Sequence, residues 1–152
     1  KFNPQYWESY YNRGLSKYKL DDSKGAAQDY TKAIELNPQP WQAYNNRGIV
    51  KKESSDYKGA IEDFTRAIEI NPQSIDAYYN RGNTKQALED YSGAIEDYNK
   101  AIEFNPQYTE AFRNRGIAKI SAGDKSDGCT DLGKAEELGS TKAAAQKKMY
   151  CN

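Results

Sequence analysis

Four prolines constrain what this chain can fold into more than any other feature. Pro4, Pro38, Pro72 and Pro106 stand 34 residues apart each time. The string at residues 25–39 returns at 59–73 and 93–107, and Asn-Arg-Gly recurs at Asn12, Asn46, Asn80 and Asn114. A strict period of this length points to an array of stacked units, each burying an apolar face against its neighbour. Within a period the spacing predicts two antiparallel helices. In the first unit these are a helix over about residues 8–20, a break at Asp21-Asp22-Ser23, and a second helix from near Lys24 through Leu36. Pro38 stops the second helix and biases Asn37 away from helical geometry.

The expected divisions follow. Residues 1–6 match the end of a truncated preceding repeat, since Phe2-Asn3-Pro4-Gln5 parallels Phe104-Asn105-Pro106-Gln107. Full units cover 7–40, 41–74 and 75–108, a degenerate fourth covers 109–140, and a capping helix covers 141–152. The fourth unit decays in its second half, where Leu132 replaces an aromatic, Glu136 an apolar residue and Gly139-Ser140 the Asn-Pro pair. Terminal repeats need a more polar outer face, so decay there is the expected end of an array.

Four glycines, Gly14, Gly48, Gly82 and Gly116, fall in mid-helix, where each costs on the order of 1 kcal/mol against alanine. Close helix approach is the expected reason, with Ala26, Ala60 and Ala94 as the facing small residues and Tyr30, Phe64 and Tyr98 filling the wider gap.

Composition removes several function classes. Twenty-two basic and 22 acidic residues cancel, which argues against nucleic acid, where phosphate neutralisation supplies most of the affinity. No apolar run approaches the roughly 20 residues of a membrane span, so no membrane insertion is expected. The chain has no histidine and two cysteines. It therefore lacks the usual general base and cannot close a zinc site, and no metal, cofactor or catalytic residue is expected.

Paired helices, a proline after the second, and small residues between them resemble the tetratricopeptide repeat (TPR) family. That resemblance implies an all-α, right-handed α-solenoid that binds protein rather than an enzyme. Two departures from the family pattern recur together. Arg13, Arg47, Arg81 and Arg115 replace a usual leucine, and Asp29, Asp63, Asp97 and Asp131 a frequent aromatic. Intra-repeat Arg–Asp pairs joining the two helices are the plain reading, and an exposed arginine ladder for phosphate or carboxylate is the alternative.

Asparagine is a mediocre helix former, so the column Asn12, Asn46, Asn80 and Asn114 asks for an explanation. Its amides offer donor and acceptor to an extended peptide backbone. The column is similar to the asparagine ladder of O-GlcNAc transferase, another TPR protein, which implies main-chain binding. Tying the neighbouring repeat is the structural alternative. Helical spacing adds Tyr11, Leu15, Tyr18, Asn45, Ile49 and Lys52, then Tyr79, Asn83, Gln86, Arg113, Ile117 and Ile120, to the same concave face. Tyr11, Tyr79, Asn83 and Arg113 are the expected side-chain contacts there. The clamp by which family members hold chaperone C-terminal carboxylates needs lysines. Those columns here read Tyr11, Asn45, Tyr79, Arg113 and Glu8, Gln42, Asp76, Glu110, so such a clamp is not expected.

Cys129 and Cys151 lie on helices expected to pack antiparallel. Two small buried thiols are the plainer reading, and a disulfide, which would imply export, is the other. The compartment stays open between cytoplasm and export. The function expected is a scaffold holding an extended segment of a partner protein. The alternatives are a rigid spacer self-associating through an open N-terminal repeat face, or a regulatory arm of a larger enzyme.

Overall fold

The structure, a computed structural model, describes residues 4–151. Among the described residues all regular structure is helical: α1 (Pro4–Lys19), α2 (Ser23–Leu36), α3 (Trp41–Glu53), α4 (Tyr57–Ile70), α5 (Ile75–Ala87), α6 (Tyr91–Phe104), α7 (Thr109–Ser121), α8 (Lys125–Glu137) and α9 (Thr141–Tyr150). They divide into two compact units, residues 1–77 and 78–152, with the division inside α5.

α1 begins at Pro4, about a turn before the helix start expected near residue 8. Proline is tolerated in a helix's first turn, where its missing N–H has no partner to lose. Residues 1–3, part of the stretch assigned to a preceding repeat, lie outside the described residues. Elsewhere the prolines stop helices as expected. Asn37 caps α2 with φ −106° and ψ 129°, the extended geometry that a following proline favours.

The turns inside each repeat share one design. Asp21, Ser55, Glu89 and Gly123 take positive φ of 61°, 65°, 61° and 97°, closing the first helix. The next residue is an aspartate that caps the second helix. Asp22 accepts from the Gly25 N–H at 2.9 Å, Asp56 from Gly59 at 3.0 Å and Asp90 from Gly93 at 3.0 Å. A Cβ at Gly25 would lie 2.1 Å from the Asp22 carboxylate, and the fourth repeat makes the same cap to the Asp127 N–H at 3.1 Å.

In the first unit α1 packs on α2, α2 on α3, and α3 on α4. Ala26, Tyr30 and Val50 form a buried cluster flanked by Tyr11, Leu15, Tyr18 and Ala27. In this unit the atoms nearest the mid-helix glycines belong to aromatic rings. A Cβ at Gly14 would fall 2.8 Å from Tyr30 Cε1, and one at Gly48 would fall 2.7 Å from Phe64 Cε1.

In the second unit Gly82 stands in the same relation to Tyr98, at 2.8 Å. The fourth repeat differs because Leu132 cannot cover the backbone as a ring does. There a Cβ on Gly116 would be 2.8 Å from the Gly128 carbonyl, so α7 and α8 approach backbone to backbone. Leu132, Ala135 and Ala143 then form the cluster that seats α9, with Phe112, Ile117, Ile120 and Cys151 around it.

Candidate functional site: the first-helix faces

Each repeat carries one buried carboxylate between two cations. In the first, Asp29 accepts from Arg13 Nε at 2.7 Å and Nη2 at 2.6 Å, and Lys17 Nζ stands 3.0 Å away. Asp63 takes Arg47 Nη2 at 2.7 Å and Lys51 at 3.0 Å. In the second unit Asp97 takes Arg81 at 2.7 Å and Lys85 at 2.9 Å, and Asp131 takes Arg115 at 2.6 Å and Lys119 at 3.0 Å. The fork geometry supplies two parallel charge-assisted bonds per pair. The Arg13 hydrogen bond holds the Asp29 carboxyl below its ordinary range, against the opposing effect of burial.

Sequence reasoning missed two columns here. Lys17, Lys51, Lys85 and Lys119 recur on the period four residues after each arginine, on the same helix face. Tyr10, Tyr44, Tyr78 and Phe112 recur three residues before it, and each guanidinium carbon lies 5.1–5.8 Å from the ring centroid. Both were visible in the register.

The arginines also reach back one repeat. Arg47 Nη1 donates to Thr31 Oγ1 at 3.0 Å, and Arg115 Nη1 to Asn99 Oδ1 at 2.7 Å. The side chains of Arg47, Arg81 and Arg115 are only 18%, 16% and 16% exposed, whereas Arg13 is 58% exposed.

The asparagine column lies on the opposite flank of the first helices. In the first unit Asn46 Nδ2 donates to the Tyr11 hydroxyl at 3.0 Å, and its Oδ1 accepts from buried Asn45 at 3.3 Å. Asn12 is exposed at the edge of this unit. Leu15, Tyr18, Tyr30, Asn46 and Ile49 line a small cleft of about 90 Å³. Tyr18 donates to Glu53 at 2.5 Å, and burial first, then Glu53, pushes its phenol up to about 12.

In the second unit Asn114 Nδ2 donates to the Tyr79 hydroxyl at 3.1 Å and to Asn83 Oδ1 at 2.7 Å. The Tyr98 hydroxyl lies 2.8 Å from Asn83 Oδ1 and 2.7 Å from Gln86 Oε1. Burial drives the Tyr98 phenol well above its ordinary value. Asn80 is half-buried and has its own polar contact. Arg113 is turned onto Glu110 at 2.9 Å. Asn46 and Asn114 thus each donate to the tyrosine of the preceding repeat, while a tyrosine hydroxyl that accepts such a bond keeps its own proton to give.

Cys129 and Cys151 are bonded, with Sγ atoms 2.02 Å and Cα atoms 5.8 Å apart. The two free thiols that were the plainer expectation are therefore absent. The Leu132–Ala143 packing seats the first turn of α9 against α8, and Cys151, after its last residue, packs on the same cluster.

Among the described residues no cluster of acidic or cysteine side chains could hold a metal ion. None of their helices is long and apolar enough to cross a membrane.

The tetratricopeptide repeat model matches residues 7–40 and 75–108, and a further TPR repeat model matches residues 50–88. No curated protein matches the chain by sequence. Among solved structures, a crystal structure of MamA is 25% identical, covering 93% of this chain and 83% of that one with a TM-score of 0.85. The Arabidopsis OM64 TPR domain is 27% identical over 77% of this chain and 97% of that one, with a TM-score of 0.75. The first TPR of Spaghetti (RPAP3), solved bound to an HSP90 peptide, shares the fold at 22% identity and a TM-score of 0.78, over 80% of this chain and 96% of that one. The fold is thus an all-α solenoid of helix–turn–helix repeats with a C-terminal capping helix. Such repeats generally mediate protein–protein interaction and are not typically enzymatic. On the repeat-model matches, which span more than half the sequence, the chain belongs to the tetratricopeptide repeat family.

Proposed function

We propose that this protein is a scaffold whose asparagine-bearing first-helix faces hold an extended segment of a partner protein. The observation that supports this best is the cleft of the first unit. An apolar floor of Leu15, Tyr30 and Ile49 lies beside the amide of Asn46 and the phenol of Tyr18. One apolar anchor and flanking donors and acceptors suit a peptide side chain with its adjoining backbone. Tyr11 accepts from Asn46 and so presents its own O–H to a peptide carbonyl. In the second unit Asn83 Oδ1 is occupied, which leaves its Nδ2 as the donor to a ligand. Acidic Glu8 and Asp76 favour a segment with basic character. Solenoid TPR structures bound to peptide, such as Spaghetti (RPAP3) with its HSP90 peptide, lend the reading its precedent in the fold.

A peptide array probed with the wild-type chain, Leu15→Ala and Asn46→Ala tests this. Binders enriched in one apolar residue beside basic ones, weakened about tenfold in both variants, are expected. Binders held equally by all three proteins place recognition elsewhere and refute the groove.

A further inference from the structure

We infer that the first unit carries a second, independent docking site, a basic cleft that takes a carboxylate-rich segment of a partner protein. It is an open trough of about 810 Å³ lined by Tyr10, Arg13, Lys24, Ala27, Gln28, Asp29, Thr31, Lys32, Arg47 and Lys51. It shares no residue with the Leu15–Ile49 cleft, so it stands or falls apart from the peptide groove.

Its charge is one-sided. Arg13 and Lys17 share the single carboxylate of Asp29, and Arg47 and Lys51 share that of Asp63. Lys32 is balanced by Glu35 at 2.7 Å. Lys24 has no ion pair among the described residues. The lining groups and their direct partners therefore leave an excess of three positive charges in a chain of zero formal net charge.

The repeat itself separates scaffold from cleft. Columns needed for packing recur in every unit, so departures from the period mark positions the fold leaves free. Gln28 stands where the next two repeats carry Glu62 and Glu96, whereas the Lys24 column keeps a lysine in the second repeat, Lys58, and turns to serine in the third, Ser92. The Gln28 departure removes a negative charge that the second and third repeats carry at that position.

The rest of the lining selects a peptide over a polyphosphate or nucleic acid. The Tyr10 ring and the Ala27 methyl offer apolar contact to the methylenes of glutamate. The exposed Gln28 amide, which makes no hydrogen bond among the described residues, offers a donor and an acceptor to a main chain. Three excess charges are few for a site that must neutralise a string of phosphates. They suit two or three carboxylates.

The test uses a fluorescein-labelled hexaglutamate peptide and fluorescence anisotropy on the full chain. Lys24→Ser/Gln28→Glu imports residues that other repeats of this chain already tolerate, so the fold, checked by far-UV circular dichroism, is expected to be kept. Binding that weakens with salt, drops about tenfold in this variant and is unchanged in Asn46→Ala is the expected result. Absence of binding to wild type, or equal binding by the double variant, overturns the site. Displacement by inorganic tripolyphosphate or single-stranded DNA at concentrations below that of free hexaglutamate overturns the peptide assignment.

Discussion

Replacing Asp63 by asparagine removes the one charge that makes two cations tolerable at a helix–helix contact. Asp63 accepts from Arg47 Nε at 2.8 Å and Nη2 at 2.7 Å, and Lys51 lies 3.0 Å from Oδ2. The carboxylate is 5% exposed, Arg47 18% and Lys51 28%. An amide keeps one acceptor but turns its N–H₂ toward a cation. Removing one member of a buried pair costs roughly 3–5 kcal/mol, because the partner is left charged and unpaired. Partial access of Lys51 to water argues for the low end, about 3 kcal/mol.

Asp29→Asn is the internal control. Its arginine is 58% exposed, so water can solvate the guanidinium left behind, and the loss is expected to be smaller. Urea unfolding followed by far-UV circular dichroism measures both, with an unchanged m-value as the check that the midpoints report stability. Equal losses for the two variants, or a loss below about 1 kcal/mol for Asp63→Asn, would refute the argument that burial sets the worth of these pairs. Acid supplies a second readout. Asp29 has a lowered pKa in the fold, chiefly from its Arg13 hydrogen bond, so the unfolded chain binds its proton first as pH falls. Its contribution is complete above the ordinary carboxylate range near about pH 4 and is lost as pH drops through the lower folded value. Asp29→Asn is expected to flatten that part of the acid-unfolding curve.

Two further outcomes follow from the geometry. Closing a loop with a sequence separation of 22 residues, the Cys129–Cys151 bond is worth about 3 kcal/mol in the chain-entropy model. Reducing it is expected to lower Tm by roughly 6–12 °C in thermal melts, and a Cys129→Ser/Cys151→Ser variant is expected to melt low with or without reductant. One substitution should change sign between two helical glycines. Gly48→Ala puts a methyl 2.7 Å from Phe64 and is expected to cost about 1–2 kcal/mol, while at Gly133 the nearest atom is Lys147 Nζ at 3.6 Å and alanine is expected to stabilise by up to about 1 kcal/mol. Urea midpoints of the two variants decide it.

The helices were legible because period, proline and capping residues are local signals. α9 lies within the 141–152 expected of the capping helix, and the break in the first repeat falls at Leu20–Asp22, since Ser23, expected in the break, already opens α2. The arginine and aspartate columns were legible because both broke the family pattern in the same four repeats, always 16 residues apart. The lysine and aromatic columns carried the same register but broke no rule that drew attention to them.

The sequence by itself determined the repeat, the helix pairs and which columns travel together, since each is set by spacing along the chain. Tertiary structure decided what those columns touch. It placed the Tyr30 and Phe64 rings on the glycines, laid the Asn46 and Asn114 amides on tyrosines of the preceding repeat, and joined Cys129 to Cys151. Each of these outcomes depends on how closely one helix approaches the next, and on which of several partners reaches a polar group first. Periodicity gives the list of side chains on a face, whereas the close packing of one helix against the next selects among their possible contacts.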